Sequence, residues 1–193
     1  LIFDECTSGF RETYGGLHKK YSVNPDMAMF GKALGNGYAI TAVIGKKEIM
    51  NFSKNTFISS TFWTERVGSA AGLKTLEIMK EINSWKYITN MGQYIKKKWG
   101  EIALSNDIEI DIMGLDAICS FSFKSKNALA YKTYLTQTML KEGYLASNLI
   151  FVSIAHTQKI VDRYLFKLDA IFKQIKKFED EKDSVKDFLI GNI

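Results

Sequence analysis

Proline occurs once in the 193 residues, at Pro25; cysteine occurs twice, at Cys6 and Cys119, and histidine twice, at His18 and His156. Each scarcity excludes something. Two cysteines so far apart make neither a metal-ligand spacing nor a disulfide framework, so a zinc module and a disulfide-stapled secreted domain are both excluded, and a reducing cytoplasm fits. Neither histidine has a second ligand at metal spacing. Both read as structural or surface groups, and no metal site is expected. Long apolar runs are missing as well: ITAVIG (40–45) and LIFVSIA (149–155) fall far short of the roughly 20 residues that a membrane-spanning helix needs. No signal peptide, internal repeat or low-complexity tract is visible, and no membrane partner is expected. The chain opens on LIFDE, without Met, as if residue 1 already lay inside a buried strand, and a piece of a longer protein is expected.

What is present is a globular composition, 46% hydrophobic and 13% aromatic, enough to bury a substantial core. The formal net charge is +5, but the lysines are scattered or sit in short clusters such as IKKKW (95–99) and QIKKF (174–178). Those clusters read as solvated helix faces, and no nucleic-acid partner is expected.

Short apolar runs alternate with helical periodicities, the pattern of an α/β protein with a largely buried sheet. LIFD (1–4), MAMF (27–30) and ITAVIG (40–45) read as strands, and residues 7–26 as loop with one helical turn. Thr64 is expected to cap a helix over 65–82, with Val67, Ala70, Ala71, Leu73, Leu76, Met79 and Ile82 on or near one face. Its GSAAG stretch (68–72) has so little bulk that another backbone can approach closely. A Lys-rich helix follows to about Ser105, then strands at 108–113 and 117–123, a helix over 128–143, a strand at 149–154, and a last helix over 158–178. In that last helix Val161, Tyr164, Leu165, Leu168, Ile171, Phe172 and Ile175 recur at helical spacing. A domain boundary is expected near residue 90.

The chemistry centres on MFGKALGNGY (29–38), where Lys32 stands between glycines after an apolar run. Three roles are open to it: holding a phosphate, forming a covalent intermediate, or decorating a turn. A Walker A loop fails twice, because Asp26 stands where its first glycine belongs and Ala33 where its hydroxyl residue belongs. A nucleophilic amine needs a rigid backbone beside a site that partly excludes water, which a glycine-rich turn after a strand provides. Asp4, ending an apolar run, would be carried to the mouth of a sheet, where open α/β sheets bind ligands; the plain alternative is that Asp4 and Glu5 close a strand and meet solvent.

LIFDECTSGFR (1–11), NPDMAMFGKALGNGYAITAVIGKKEIM (24–50) and STFWTERVGSAAGLKTL (60–76) together resemble the second half of a class III aminotransferase. That family depends on pyridoxal 5′-phosphate (PLP) and includes glutamate-1-semialdehyde 2,1-aminomutase. GYLASNLIFVSIAHTQKIVDRYL (143–165) extends the likeness more loosely. The resemblance implies a partial PLP-dependent transferase fold of type I. Residues 1–90 would be the later strands of the large domain with a linking helix, and 91–193 a small α/β C-terminal domain. It makes Lys32 the Schiff-base lysine and Asp4 the partner of the pyridinium nitrogen. Thr61 matches the threonine that donates to the PLP phosphate of the neighbouring subunit, and Cys6 stands where a valine usually packs on the ring.

The implied assembly is a homodimer with the active site at the subunit interface, acting on a small amino donor and a carbonyl acceptor. Arg11 is either a carboxylate binder or a structural ion-pair partner, and Tyr14 and Trp63 are either entrance or core residues. TFWTERVG (61–68) lacks the Gly-Asn-Pro that follows the phosphate-binding threonine in the aminomutase, which favours an aminotransferase. Family members are about twice as long, and their other half supplies the phosphate loop and a stacking aromatic, so this chain alone is not expected to hold PLP tightly. A non-catalytic module that keeps part of the fold is the competing reading.

Overall fold

The computed structural model describes residues 1–190, which fall into two compact units, 1–87 and 88–190. Among the described residues no helix is long and apolar enough to cross a membrane.

In the first unit, β1 (Ile2–Asp4) and β2 (Met27–Phe30) run parallel, with Asp4 level with Met29, and β3 (Ala42–Gly45) lies antiparallel on the far side of β2. The 22-residue connection between the parallel strands holds one 3₁₀ turn, Leu17–Tyr21, as the glycines around it and Pro25 predict. A short helix α1 (Lys47–Met50) follows β3, and α2 spans Val67–Ile82. The buried core is small: Ala28, Phe30 and Leu34, with Phe3, Phe10, Ile40, Ala42 and Leu76 packed against it.

Helix α2 departs from expectation at both its start and its face. It begins at Val67, and its first amides are capped by the Glu65 carboxylate, which accepts from the N–H groups of Val67 (2.7 Å) and Gly68 (3.0 Å). The Thr64 cap is therefore corrected to Glu65: an anion facing the positive end of a helix makes charge-assisted bonds that a neutral hydroxyl cannot match. The buried stripe runs through Gly68, Gly72 and Met79, while Val67, Leu73 and Ile82 are exposed. A Cβ at Gly68 would lie 2.4 Å from the carbonyl oxygen of Ala39, so the absence of bulk in GSAAG is what admits the 39–40 backbone.

Helix α3 (Ser84–Ser105) leads into the second unit, where β4 (Ile110–Leu115), β5 (Ile118–Phe123) and β6 (Leu149–Phe151) form an antiparallel sheet in that order. Helices α4 (Ala128–Lys141) and α5 (Gln158–Glu179) complete it. β5 alternates as its sequence does, sending Cys119, Phe121 and Phe123 inward. Every residue expected on the apolar face of α5 is buried, and Phe178 joins them. Trp99, wholly buried on α3, stacks edge-on against Phe121 with ring centres 4.8 Å apart, and its indole N–H donates to the Tyr164 hydroxyl at 3.1 Å. Burying each such large side chain stabilises the fold by about 1.5–3 kcal/mol.

Candidate functional site

The site is built where the parallel strands of the first unit end. Asp4 is the last residue of β1, and Lys32 follows β2 by two residues, so both are delivered to the carboxyl ends of paired parallel strands. Gly31 is extended, whereas Lys32 turns into the left-handed region at φ 43° and opens a 3₁₀ turn to Leu34. That turn aims the lysine back over the loop after β1, where its Nζ donates a hydrogen bond to the Thr7 hydroxyl.

Three of the four residues singled out in the sequence meet here. The Cys6 N–H donates to Asp4 Oδ1 at 3.0 Å, the Cys6 thiol bonds the same carboxylate, and the charge of Lys32 acts on both. The Cys6 amide, then its thiol, and last the Lys32 charge hold Asp4 below the ordinary aspartate range. The bond to Asp4 in turn raises the Cys6 thiol, so at neutral pH it is a donor and not a thiolate nucleophile. Asp4 and Lys32 are both exposed. Thr61 is not gathered with them: it lies exposed in the turn 61–64, beside Phe62 and Trp63, which are 62% and 63% exposed.

Two residues that carry the site's geometry were not singled out by sequence reasoning. Thr7 meets the Lys32 amine, and Glu5, which the plain alternative sent to solvent, is only 2% exposed. Glu5 ties the 5–18 loop together, accepting from the Ser8 hydroxyl and from the His18 backbone N–H (2.9 Å), with the His18 ring nitrogen 3.1 Å away. Burial pushes the Glu5 carboxyl up, and the bonds from Ser8, His18 and Leu17 together outweigh it, leaving a net lowering. An acidic residue directly after a strand-ending aspartate and three before a serine was the available signal.

Arg11 Nε donates to the Thr7 carbonyl at 2.6 Å, which gives that side chain a structural bond. His18 partners Glu5, and His156 Nδ1 accepts from the Ser153 N–H at 2.9 Å. The Tyr14 ring packs on Trp85, with centres 5.4 Å apart.

The family model Aminotransferase class-III matches residues 1–177. The chain belongs to the class III aminotransferases. Among curated relatives of this aminotransferase chain, the 3-aminobutyryl-CoA aminotransferase of Cloacimonas acidaminovorans is 35% identical over 138 residues, which are 71% of this chain and 33% of that protein. The glutamate-1-semialdehyde 2,1-aminomutase of Sulfurihydrogenibium azorense is 30% identical over 190 residues, 90% of this chain and 44% of that protein. The class III chain thus spans less than half the length of these relatives. Among solved structures, the FumI protein of a Sphingopyxis species, in its PLP internal aldimine form, superposes with a TM-score of 0.83 at 22% identity over 93% of this chain and 44% of that one. An omega-transaminase from Sphaerobacter thermophilus gives 0.80 at 20% identity, over 92% and 44%. At such identities the likeness establishes the fold: this aminotransferase chain carries part of the fold that those two proteins share.

Proposed function

We propose that the chain is the C-terminal portion of a cytoplasmic, PLP-dependent aminotransferase of class III, which moves an amino group between an amine or amino acid and a carbonyl acceptor. Residues 1–90 act as part of the cofactor-binding large domain, and 91–193 as the small C-terminal domain. One observation carries the reading: an amine and a carboxylate held anionic face the same space at the carboxyl ends of β1 and β2.

The residues present fit the cofactor. A carboxylate kept ionised by two bonds from Cys6 suits a cationic ring nitrogen, and an amine projected from a rigid turn suits an aldehyde. When bound, PLP supplies an aldehyde that condenses with amines and a protonated ring that accepts the electron pair released at the substrate carbon. The chain's own groups do the rest. Lys32 would be the nucleophile toward that aldehyde, and its amine, when free, would carry the proton taken from the substrate carbon. Asp4 would keep the proton on the ring nitrogen. Cys6 holds Asp4 in its ionised form and would pack on the ring. Thr61, in the exposed turn before α2, would donate to the phosphate bound by the neighbouring subunit of a homodimer.

A second reading, an aminomutase returning the nitrogen to a neighbouring carbon of the same molecule, is supported by aminomutase relatives that are 27–30% identical over most of the chain. The transferase is preferred for the 35% identity to an aminotransferase and for TFWTERVG at 61–68. The test is borohydride reduction of the full-length protein with PLP, followed by peptide mass spectrometry. The label is expected on Lys32 and absent in Lys32→Ala, with transamination lowered about 10²- to 10⁴-fold in that variant. Labelling that persists unchanged in Lys32→Ala would overturn the assignment.

A further inference from the structure

We infer that Thr7 is a positioning residue for the Lys32 amine: its hydroxyl is the seat on which that amine rests whenever it is not engaged with an aldehyde. The inference rests on the role of Lys32 proposed above. A free lysine side chain samples many rotamers and leaves its amine over a given target for a small fraction of the time. Here the Lys32 amine is already bonded to the Thr7 hydroxyl.

Thr7 is itself held from several sides. Its carbonyl accepts from Arg11 Nε at 2.6 Å, the next residue's hydroxyl donates to buried Glu5, and the Gly9 N–H donates to the Glu5 carbonyl at 2.8 Å. The loop therefore fixes the backbone that carries the hydroxyl, and the hydroxyl meets the amine.

The chemistry of the partner matters as much as its place. A hydroxyl accepts from an ammonium and, once the amine has lost its proton, can donate its own O–H to the nitrogen lone pair. The amine thus keeps one partner in both of the protonation states that a nucleophile and proton carrier must visit. A carboxylate would hold the ammonium alone. The nearby carboxylate, Asp4, is engaged by the amide and thiol of Cys6.

The test uses the full-length protein with Thr7→Val, which keeps the shape and removes the hydroxyl, and with Thr7→Ser, which keeps the hydroxyl. Two rates are read. In cofactor-free protein, limiting acetic anhydride reports the reactivity of Lys32 relative to Lys19 and Lys46 in the same digest; in a second arm, added PLP is followed by absorbance during its capture. Loss of one hydrogen bond is expected to slow PLP capture in Thr7→Val by about 5- to 10-fold. Acetylation of Lys32 should rise relative to the reference lysines, because the amine is no longer held. Thr7→Ser should restore both rates. Opposite changes in the two arms would not follow from a merely structural loss, which lowers capture without releasing one lysine selectively.

Unchanged rates in Thr7→Val, or Thr7→Ser behaving as Thr7→Val does, overturn the proposal. If circular dichroism finds Thr7→Val misfolded, Thr7→Ala, which adds no bulk, is read in its place. A wild-type protein that captures no PLP on Lys32 sinks the functional reading, and the acetylation arm then decides the Thr7 contact by itself.

Discussion

The two units bury their apolar side chains very differently. Among the described residues, the second unit encloses one continuous core running from Met91 to Val185, in which Trp99, Phe121, Phe123, Tyr131, Phe172 and Phe178 interlock ring on ring. The first buries four apolar residues, Ala28, Phe30, Leu34 and Met79, and leaves Phe57, Ile58, Phe62, Trp63 and Leu73 between 58% and 95% exposed. What orders the first unit's loops is largely polar: Glu5 with Ser8 and His18, Glu65 on α2, and Glu12 with Lys20. The unit with the dense core carries none of the four proposed site residues, and the unit that holds them is bound together mainly by directional bonds. Directional bonds fix reactive groups at defined positions, whereas apolar packing supplies bulk stability.

The largest expected effect is therefore in the second unit. Phe172→Ala, in a wholly buried aromatic cluster, should cost about 3–5 kcal/mol in urea unfolding, whereas Phe30→Ala in the small core should cost at most about 3 kcal/mol because its surroundings can relax. Equal costs would break the comparison. Next comes Asp4→Asn, expected to lower amino transfer by about 10²- to 10³-fold while leaving the unfolding midpoint of the second unit unmoved, as read by hydrogen exchange.

Gly68 and Gly72 sharpen the same point on α2. Gly68→Ala meets the Ala39 carbonyl and should destabilise the first unit by about 1–3 kcal/mol. A Cβ at Gly72 meets only ordinary contacts, the nearest 3.5 Å away at Ile40, so Gly72→Ala should be neutral or stabilising by up to about 1 kcal/mol in thermal melts.

Glu5→Gln is expected to have the smallest effect, about 1 kcal/mol at neutral pH. Because the folded Glu5 carboxyl lies below its ordinary value, its contribution is present in full above the ordinary glutamate range and is lost as the pH falls through the lowered value. Amide protection of residues 8–18 should therefore drop in acid in the parent protein and stay flat across the same range in Glu5→Gln.

The sequence was most legible where a periodic pattern met a dense core. The face of α5 could be read residue by residue, because a helix packed on one side against aromatics repeats every three or four positions. The same reading failed on α2, where Val67 and Leu73 face outward, because a chain segment in close approach selects the smallest side chains and not the most apolar ones. At the site, Asp4, Cys6 and Lys32 were legible as one motif-level resemblance, and β1 beside β2 brings them to one end of the sheet. Thr7 and Glu5 were not. Their roles come from how a loop folds back on itself, and nothing in residue type or spacing announces a hydroxyl turned toward a lysine that lies 25 positions away in the chain.

Lys32 sits in a backbone conformation that L-residues with a full side chain adopt at a cost of about 1–2 kcal/mol. Asparagine tolerates that geometry far better, so Lys32→Asn should melt at a higher temperature than the parent while losing the chemistry proposed for Lys32. Such a rise would mark position 32 as one where selection has favoured reactivity over durability.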